Sequence, residues 1–410
     1  MARRRSGRAI LWMVAVLCAP LVGTADAEEG EGQQMEWDTQ QMPFFEVRGG
    51  LENCRIRFER DKEGRVAYLG GSITTMKGWR ELTYDMLEAW FPDTTFDFIN
   101  AGIGGTNSTL GAFRFKEDVF KNGKVDLLFL EYAVNDSGDP SADNRRKRAM
   151  EGIVRQARRL NPEIDILIQY FADTRKVETV RAGEVPDVIL DHEEVARHYN
   201  IPVLNLAAEV TRRLDQGEFT WEQFSRDTCH PLPFGHQLYA DCIGAFLDEL
   251  WKAPAPEDGA PVAYPLPEPL DPANYERGRF VVLDEARLID GWTRMPAWTA
   301  EKTCNYSGPV DVLVAESPGA VLELAFGGTL VGINAIAGMD AGTLECTIDD
   351  GSAQTIDLFD HYCERFHRPV CHILAEDLPP GRHTLTLRMA DTANPKSLGH
   401  AARILRFCAN

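Results

Sequence analysis

Residues 66–91 read "VAYLGGSITTMKGWRELTYDMLEAWF". A short apolar run ends in two glycines and a serine, and from Trp79 to Phe91 apolar residues recur at helical spacing. Strand, tight turn and helix in succession form the repeating unit of a parallel sheet wrapped by helices. The alternation continues outward. "FDFIN" (96–100), "DLLFLEY" (126–132), "DILIQYF" (165–171) and "PVLNL" (202–206) read as further strands, while 146–160 and 190–200 read as amphipathic helices. The economical reading is one α/β domain with five strands, spanning residues 45–251.

Residues 252–274, "KAPAPEDGAPVAYPLPEPLDPAN", hold seven prolines and no apolar periodicity, the composition of a stiff extended linker. Beyond it the helical patterns stop. Short alternating segments at 311–315, 321–326, 330–336, 344–349, 383–389 and 402–407, punctuated by Gly and Pro, predict an antiparallel β-sandwich over 275–410.

The first 27 residues stand apart. Arg3, Arg4, Arg5 and Arg8 precede an apolar stretch from Ala9 to Val22, and small residues sit at Ala25 and Ala27, the pattern of a cleaved secretory signal. The rival reading is an uncleaved membrane anchor, which the apolar stretch disfavours by being shorter than the ~20 residues of a spanning helix; no membrane partner is expected after cleavage, and the mature chain is expected to be secreted or periplasmic. The formal net charge is −20, and loss of the leader's four Arg and one Asp makes it more negative. That field argues against nucleic acid and anionic membrane as partners. Eight of the nine cysteines follow the leader: Cys54, Cys229, Cys242, Cys304, Cys346, Cys363, Cys371 and Cys408. In an exported chain that even number permits one or two disulfides, expected in the second half. "HYCERFHRPVCH" (361–372) matches no zinc spacing, and no metal ligand is assigned.

In a parallel α/β sheet, ligands gather at the carboxyl ends of the strands. Three unusual motifs follow predicted strands: "GGS" (70–72), "NAGIGGTN" (100–107) and "EYAVND" (131–136). A fourth, "DTCHPLPFGH" (227–236), precedes the last helix. Together they hold what acyl transfer needs. Ser72 can be the nucleophile and His230 its base, with Asp227, three residues earlier, orienting the ring. The amides of Ser72 and Gly105 and the side-chain amide of Asn135 can face the oxyanion. The G-x-S-x-G elbow of α/β-hydrolases is absent, since Thr74 stands in the fifth place. "GIGGTN" is neither a P-loop nor a dinucleotide fingerprint.

The four blocks in this order resemble the SGNH (GDSL-like) hydrolases over roughly residues 65–250. The resemblance implies a flavodoxin-like three-layer α/β/α domain and an ester hydrolase or acyltransferase. It places Ser72 at the nucleophile, Gly105 and Asn135 in the oxyanion hole, Asp227 and His230 in the triad, and it implies no metal or organic cofactor. Gly71 stands where the commonest pattern has Asp, and Gly104 competes with Gly105, the spacing from Asn100 favouring Gly105. With the leader and the sandwich, the chain looks like exported members that deacetylate polysaccharides. An acylated carbohydrate is the expected substrate, with Trp79 and Arg80 available to floor a sugar site and Trp292, Trp298 and Tyr306 to stack on sugar in the second domain. The rival readings are an acyltransferase, a lipid or aryl esterase, or a carbohydrate-binding protein with a silent hydrolase domain.

Overall fold

The computed structural model describes residues 44–138, 144–252, 259–304 and 308–410. The leader expected over 1–27 and Tyr306 lie outside them. Six strands build the first sheet: β1 (Phe45–Glu46), β2 (Glu63–Gly70), β3 (Thr95–Gly102), β4 (Leu127–Glu131), β5 (Asp165–Gln169) and β6 (Val203–Leu204). Their spatial order is β1-β6-β5-β4-β2-β3. β2 to β6 run parallel. Counted in chain order, these five strands lie 2-1-3-4-5, the flavodoxin-like arrangement. β1, two residues long and antiparallel on β6, is too short to leave a period-2 signal.

Among the described residues, eleven α-helices accompany this sheet: α1 (Glu52–Ile56), α2 (Ser72–Thr75), α3 (Trp79–Trp90), α4 (Ser108–Val119), α5 (Ala133–Asp136), α6 (Arg145–Leu160), α7 (Thr174–Arg181), α8 (Asp187–His198), α9 (Leu206–Asp215), α10 (Trp221–Phe224) and α11 (Pro233–Leu250). α6 packs against both α4 and α8, and α3 packs against α11. All five residues of β4 are buried. A continuous apolar run covered on both faces is what a central parallel strand requires, and each large side chain so buried contributes ~1.5–3 kcal/mol. No helix among the described residues is long and apolar enough to cross a membrane.

The second half supplies β7 (Arg279–Val281), β8 (Ala286–Asp290), β9 (Thr293–Trp298), β10 (Val310–Ala315), β11 (Val321–Gly328), β12 (Val331–Ala337), β13 (Thr343–Ile348), β14 (Gln354–Asp357), β15 (Arg368–Ala375), β16 (Gly381–Met389) and β17 (Ala402–Ala409). They form two antiparallel sheets, ordered β15-β12-β17-β10-β9, with β7 beside β17, and β14-β13-β16-β11-β8. Leu322, Leu324, Leu385 and Leu387 of one sheet share a core with Ile333, Ile404 and Phe407 of the other.

The proline-rich stretch is fastened to the α/β sheet's own helices. Proline carries no N–H, so such a segment offers mainly carbonyls, and α6 presents the donors. Arg158 Nη1 donates to Pro265 O at 2.9 Å and Arg155 Nη1 to Pro267 O at 2.7 Å. Glu151 accepts from the amides of Leu270 and Asp271. Tyr264 donates its hydroxyl to Asp165, and Arg148 pairs with Asp271 at 2.6 Å.

The disulfide expectation is corrected: all eight described cysteines are free. Cys371 and Cys408 lie on β15 and β17, which flank β12 on opposite sides. Strands two apart stand ~9.6 Å from each other, beyond the ~7 Å that a disulfide allows between Cα atoms.

Candidate active site

β2 has β3 on one side and β4 on the other, so the strand order reverses there and a crevice opens at the carboxyl ends. Gly70 ends β2 because nothing larger fits: a Cβ there would lie 2.4 Å from Thr74 Oγ1 and 2.7 Å from Glu131 O. Gly71 then caps α2, and Ser72 is its first residue, partly exposed. The amide of Thr75 returns to Gly71 O at 3.0 Å and that of Met76 to Ser72 O at 2.9 Å. Ser72 is thereby held at the tip of a one-turn helix.

The loop after β3 is drawn to the same place by Ile103 N, which donates to Gly70 O at 3.0 Å. In it Gly104 is buried, whereas Gly105 is exposed and takes φ +70°, a backbone region that glycine enters at little cost. Asn135 comes from α5, directly after β4, and packs on Gly71. Asp136, buried beside it, accepts from Ser108 N at 2.8 Å and lies 2.9 Å from His192 Nε2. That contact ties the Asn135 turn to the start of α4 and to α8.

His230 arrives on a closed turn. Ser225 and Pro231 form a β-bridge, Arg226 N and Ser225 Oγ both donate to His230 O, and Thr174 N donates to Thr228 O at 3.0 Å. His230 Nε2 lies 2.8 Å from Ser72 Oγ, and Nδ1 lies 2.9 Å from Asp227 Oδ2. Asp227 Oδ1 accepts from the amides of Cys229 (3.0 Å) and His230 (2.8 Å). Partial burial pushes the Asp227 carboxyl up, but the hydrogen bonds from those two amides and the ring outweigh it and hold the group below its usual range. An ionised, oriented acid, a ring and a hydroxyl in line can pass a proton from Ser72 Oγ to His230.

Trp79 and Arg80, expected to floor a sugar site, are 1% and 3% exposed. Trp79 is ringed by Tyr68, Phe129 and Phe171 and donates Nε1–H to Ile73 O at 3.2 Å. Arg80 donates to the carbonyls of Thr74, Thr75 and Met76 and to Tyr84. Both side chains cap the carbonyl end of α2 and present no face to a ligand. Trp292 and Trp298 are likewise buried, at 5% and 8%, and offer no stacking platform.

Other residues around the site carry no sequence signal. Arg114 Nη2 reaches Gly70 O at 3.3 Å and Tyr132 Oη at 2.8 Å, joining the ends of β2 and β4. Glu131, wholly buried at the end of β4, has its carboxyl pushed up to about 7 by burial. His236 accepts from Trp79 N and is pushed down to about 4 by burial. Cys229 Sγ stands 3.6 Å from His230 Nδ1. Burial first, then the charge of Asp227, push its thiol up to about 11, so it is no nucleophile at neutral pH.

Residues 68–238 match the family model described as GDSL-like lipase/acylhydrolase. Two solved structures of a two-domain esterase active on acetylated mannans, one co-crystallised with mannopentaose, are similar over both halves. Each is 22% identical to this chain and covers 88% of it, with TM-scores of 0.69 and 0.70 and coverage of 95% and 96% of its own length. At that identity the likeness establishes the fold. An acetyl xylan esterase matches 45% of this chain at 20% identity with a TM-score of 0.39. A search of curated protein sequences finds no match.

Proposed function

From a chain whose residues 68–238 form a domain of the GDSL-like lipase/acylhydrolase family, we propose an exported serine esterase that removes acyl groups, above all O-acetyl groups, from a carbohydrate. One observation carries this reading: the unbroken run from Asp227 Oδ2 through the His230 ring to Ser72 Oγ, at 2.9 and 2.8 Å. Ser72 Oγ attacks the ester carbonyl while His230 Nε2 takes its proton. His230 then returns the proton to the departing sugar oxygen, and water cleaves the acyl-enzyme by the same route in reverse. The amides of Ser72 and Gly105 and the Asn135 side chain receive the charge that grows on the carbonyl oxygen.

The carbohydrate assignment is supported by the architecture shared with the two-domain esterase that acts on acetylated mannans. The leader-like first 27 residues support export to the periplasm or beyond. The test is acetate release from a panel of O-acetylated mannan, xylan and bacterial glycans, run beside an aryl acetate. Release from at least one glycan is expected. Hydrolysis of the aryl ester with none of the glycans would remove carbohydrate from the assignment. Ser72→Ala is expected to cut kcat by ~10⁴–10⁶ with an unchanged melting profile, and wild-type turnover by the folded variant would refute the nucleophile.

A further inference from the structure

We propose that Asp227, Cys229 and His230 form a binding site for a thiophilic divalent cation, Zn²⁺ being the ion of matching ligand preference, and that its occupancy switches the esterase off. Among the described residues, these are the one group of three His, Cys, Asp or Glu side chains whose ligand atoms all lie within 4.8 Å of one another. A tetrahedral zinc with Zn–N of about 2.05 Å and Zn–S of about 2.3 Å sets its nitrogen and sulfur donors about 3.6 Å apart, and its nitrogen and oxygen donors about 3.3 Å apart. Cys229 Sγ already stands 3.6 Å from His230 Nδ1, and Asp227 Oδ2 stands 2.9 Å from the same nitrogen. Asp227 Oδ2, now the acceptor of the ring's Nδ1–H, has to swing off that line to leave the cation its place beside Nδ1.

The turn prepares the donors. Two backbone amides engage Asp227 Oδ1 and leave Oδ2 to the ring and, at 3.8 Å, to the Arg226 guanidinium. The Asp227 and His230 side chains are 45% and 26% exposed, so an ion can reach them from solvent. Acyl transfer through Ser72 and His230 makes no use of the thiol.

Binding at Nδ1 has a chemical consequence at the other nitrogen. A neutral imidazole metallated on Nδ1 carries its one proton on Nε2. That nitrogen faces Ser72 Oγ at 2.8 Å, so it donates to the hydroxyl where catalysis needs it to accept. The proton count closes: the ring keeps one proton, moved from Nδ1 to Nε2, and the thiol releases one to solvent as a bound cation requires. Thiolate and carboxylate together balance the cation's charge.

The binding stands on geometry alone, whereas the loss of activity rests on His230 being the base. Metal-free full-length protein is titrated with Zn²⁺ against a chromophoric chelator and, in parallel, in aryl acetate hydrolysis. One equivalent is expected to bind, with the rate falling in step with occupancy and returning on addition of EDTA. Cys229→Ser and Cys229→Ala, each compared with its own metal-free rate, are expected to weaken both binding and inhibition by roughly 10-fold or more. Co²⁺ is expected to give a thiolate-to-metal charge-transfer band in the wild type and in Ser72→Ala, and none in Cys229→Ser. Equal zinc affinity of Cys229→Ser, or no such band, would overturn the site and leave the base untouched. Undiminished hydrolysis at full occupancy would overturn the switch and His230 as base together.

Discussion

Asn135 lies so close to Gly71 that a Cβ there would stand 2.1 Å from its Oδ1, so the glycine between strand β2 and Ser72 also makes room for the amide. If that amide receives the oxyanion, its interaction strengthens only as charge develops. Asn135→Ala is then expected to lower kcat by ~10²–10³ with KM little changed. Asn135→Asp is expected to be at least as harmful, because a carboxylate repels the oxyanion. A residue that merely shapes the turn predicts the opposite, since Asp and Asn serve turns alike. Steady-state kinetics of both variants, with folding checked by thermal melting, separates the two roles.

At the scale of elements, α2 is one turn long and cannot hold itself, because a helix that short leaves nearly every terminal group unpaired. Arg80 supplies donors to its Thr74 and Thr75 carbonyls and to that of Met76, which caps it. Arg80→Met removes them and is expected to cost ~1–3 kcal/mol per buried acceptor left unpaired, lowering the melting temperature and kcat toward an aryl acetate and a glycan alike. A loss confined to KM for the glycan would restore Arg80 as a sugar ligand. Strand β4 ends in a buried carboxyl raised from 4.5 to about 7. An acid whose folded-state pKa lies above its unfolded value favours folding while protonated, so its contribution falls as pH rises from about 4.5 to about 7. Glu131→Gln is therefore expected to gain stability over wild type between pH 5 and pH 8, by roughly 3 kcal/mol at the upper end. Denaturant melts at the two pH values measure this, and an equal difference at both would show that Glu131 ionises normally.

For the whole molecule, the sandwich and the proline-rich strap share the packing of the α/β half. Tyr275 stacks on Phe113, Gln156 donates to Tyr275 O, and Leu330 and Cys408 belong to the same apolar cluster as Leu128 and Met150. Truncation after Trp251 would leave Glu151 and Asp165 buried without the partners that Leu270, Asp271 and Tyr264 provide. Melting temperatures are expected to fall in the order full chain, chain ending at Arg277, chain ending at Trp251. The proposed triad lies wholly before the strap, so any fragment that stays folded is expected to hydrolyse an aryl acetate. A Trp251 truncation as stable as the full chain would show that the strap's hydrogen bonds contribute nothing.

Periodicity and turn chemistry are properties of contiguous residues, and they were enough to locate all five parallel strands, most of the sandwich strands and the four motifs around the site. Because a parallel sheet gathers the carboxyl ends of its strands on one edge, the order of those motifs pointed to one site, and the fold brings His230 to Ser72 and Asn135 to Gly71. Exposure is a different kind of quantity, set by what distant segments place against a side chain. Trp79 opens its helix as a surface aromatic would, yet Tyr68, Phe129 and Phe171 close over it. The prolines read as a stiff linker, and only the fold shows α6 arginines donating to their carbonyls. The even number of cysteines permitted one or two bridges, and the fold leaves all eight described thiols free. Cys229 shows both sides of the division. Its place between Asp227 and His230 is plain in the sequence, but only the closed turn, held by Ser225, Pro231 and Thr174, brings its sulfur to the Nδ1 side of the His230 ring.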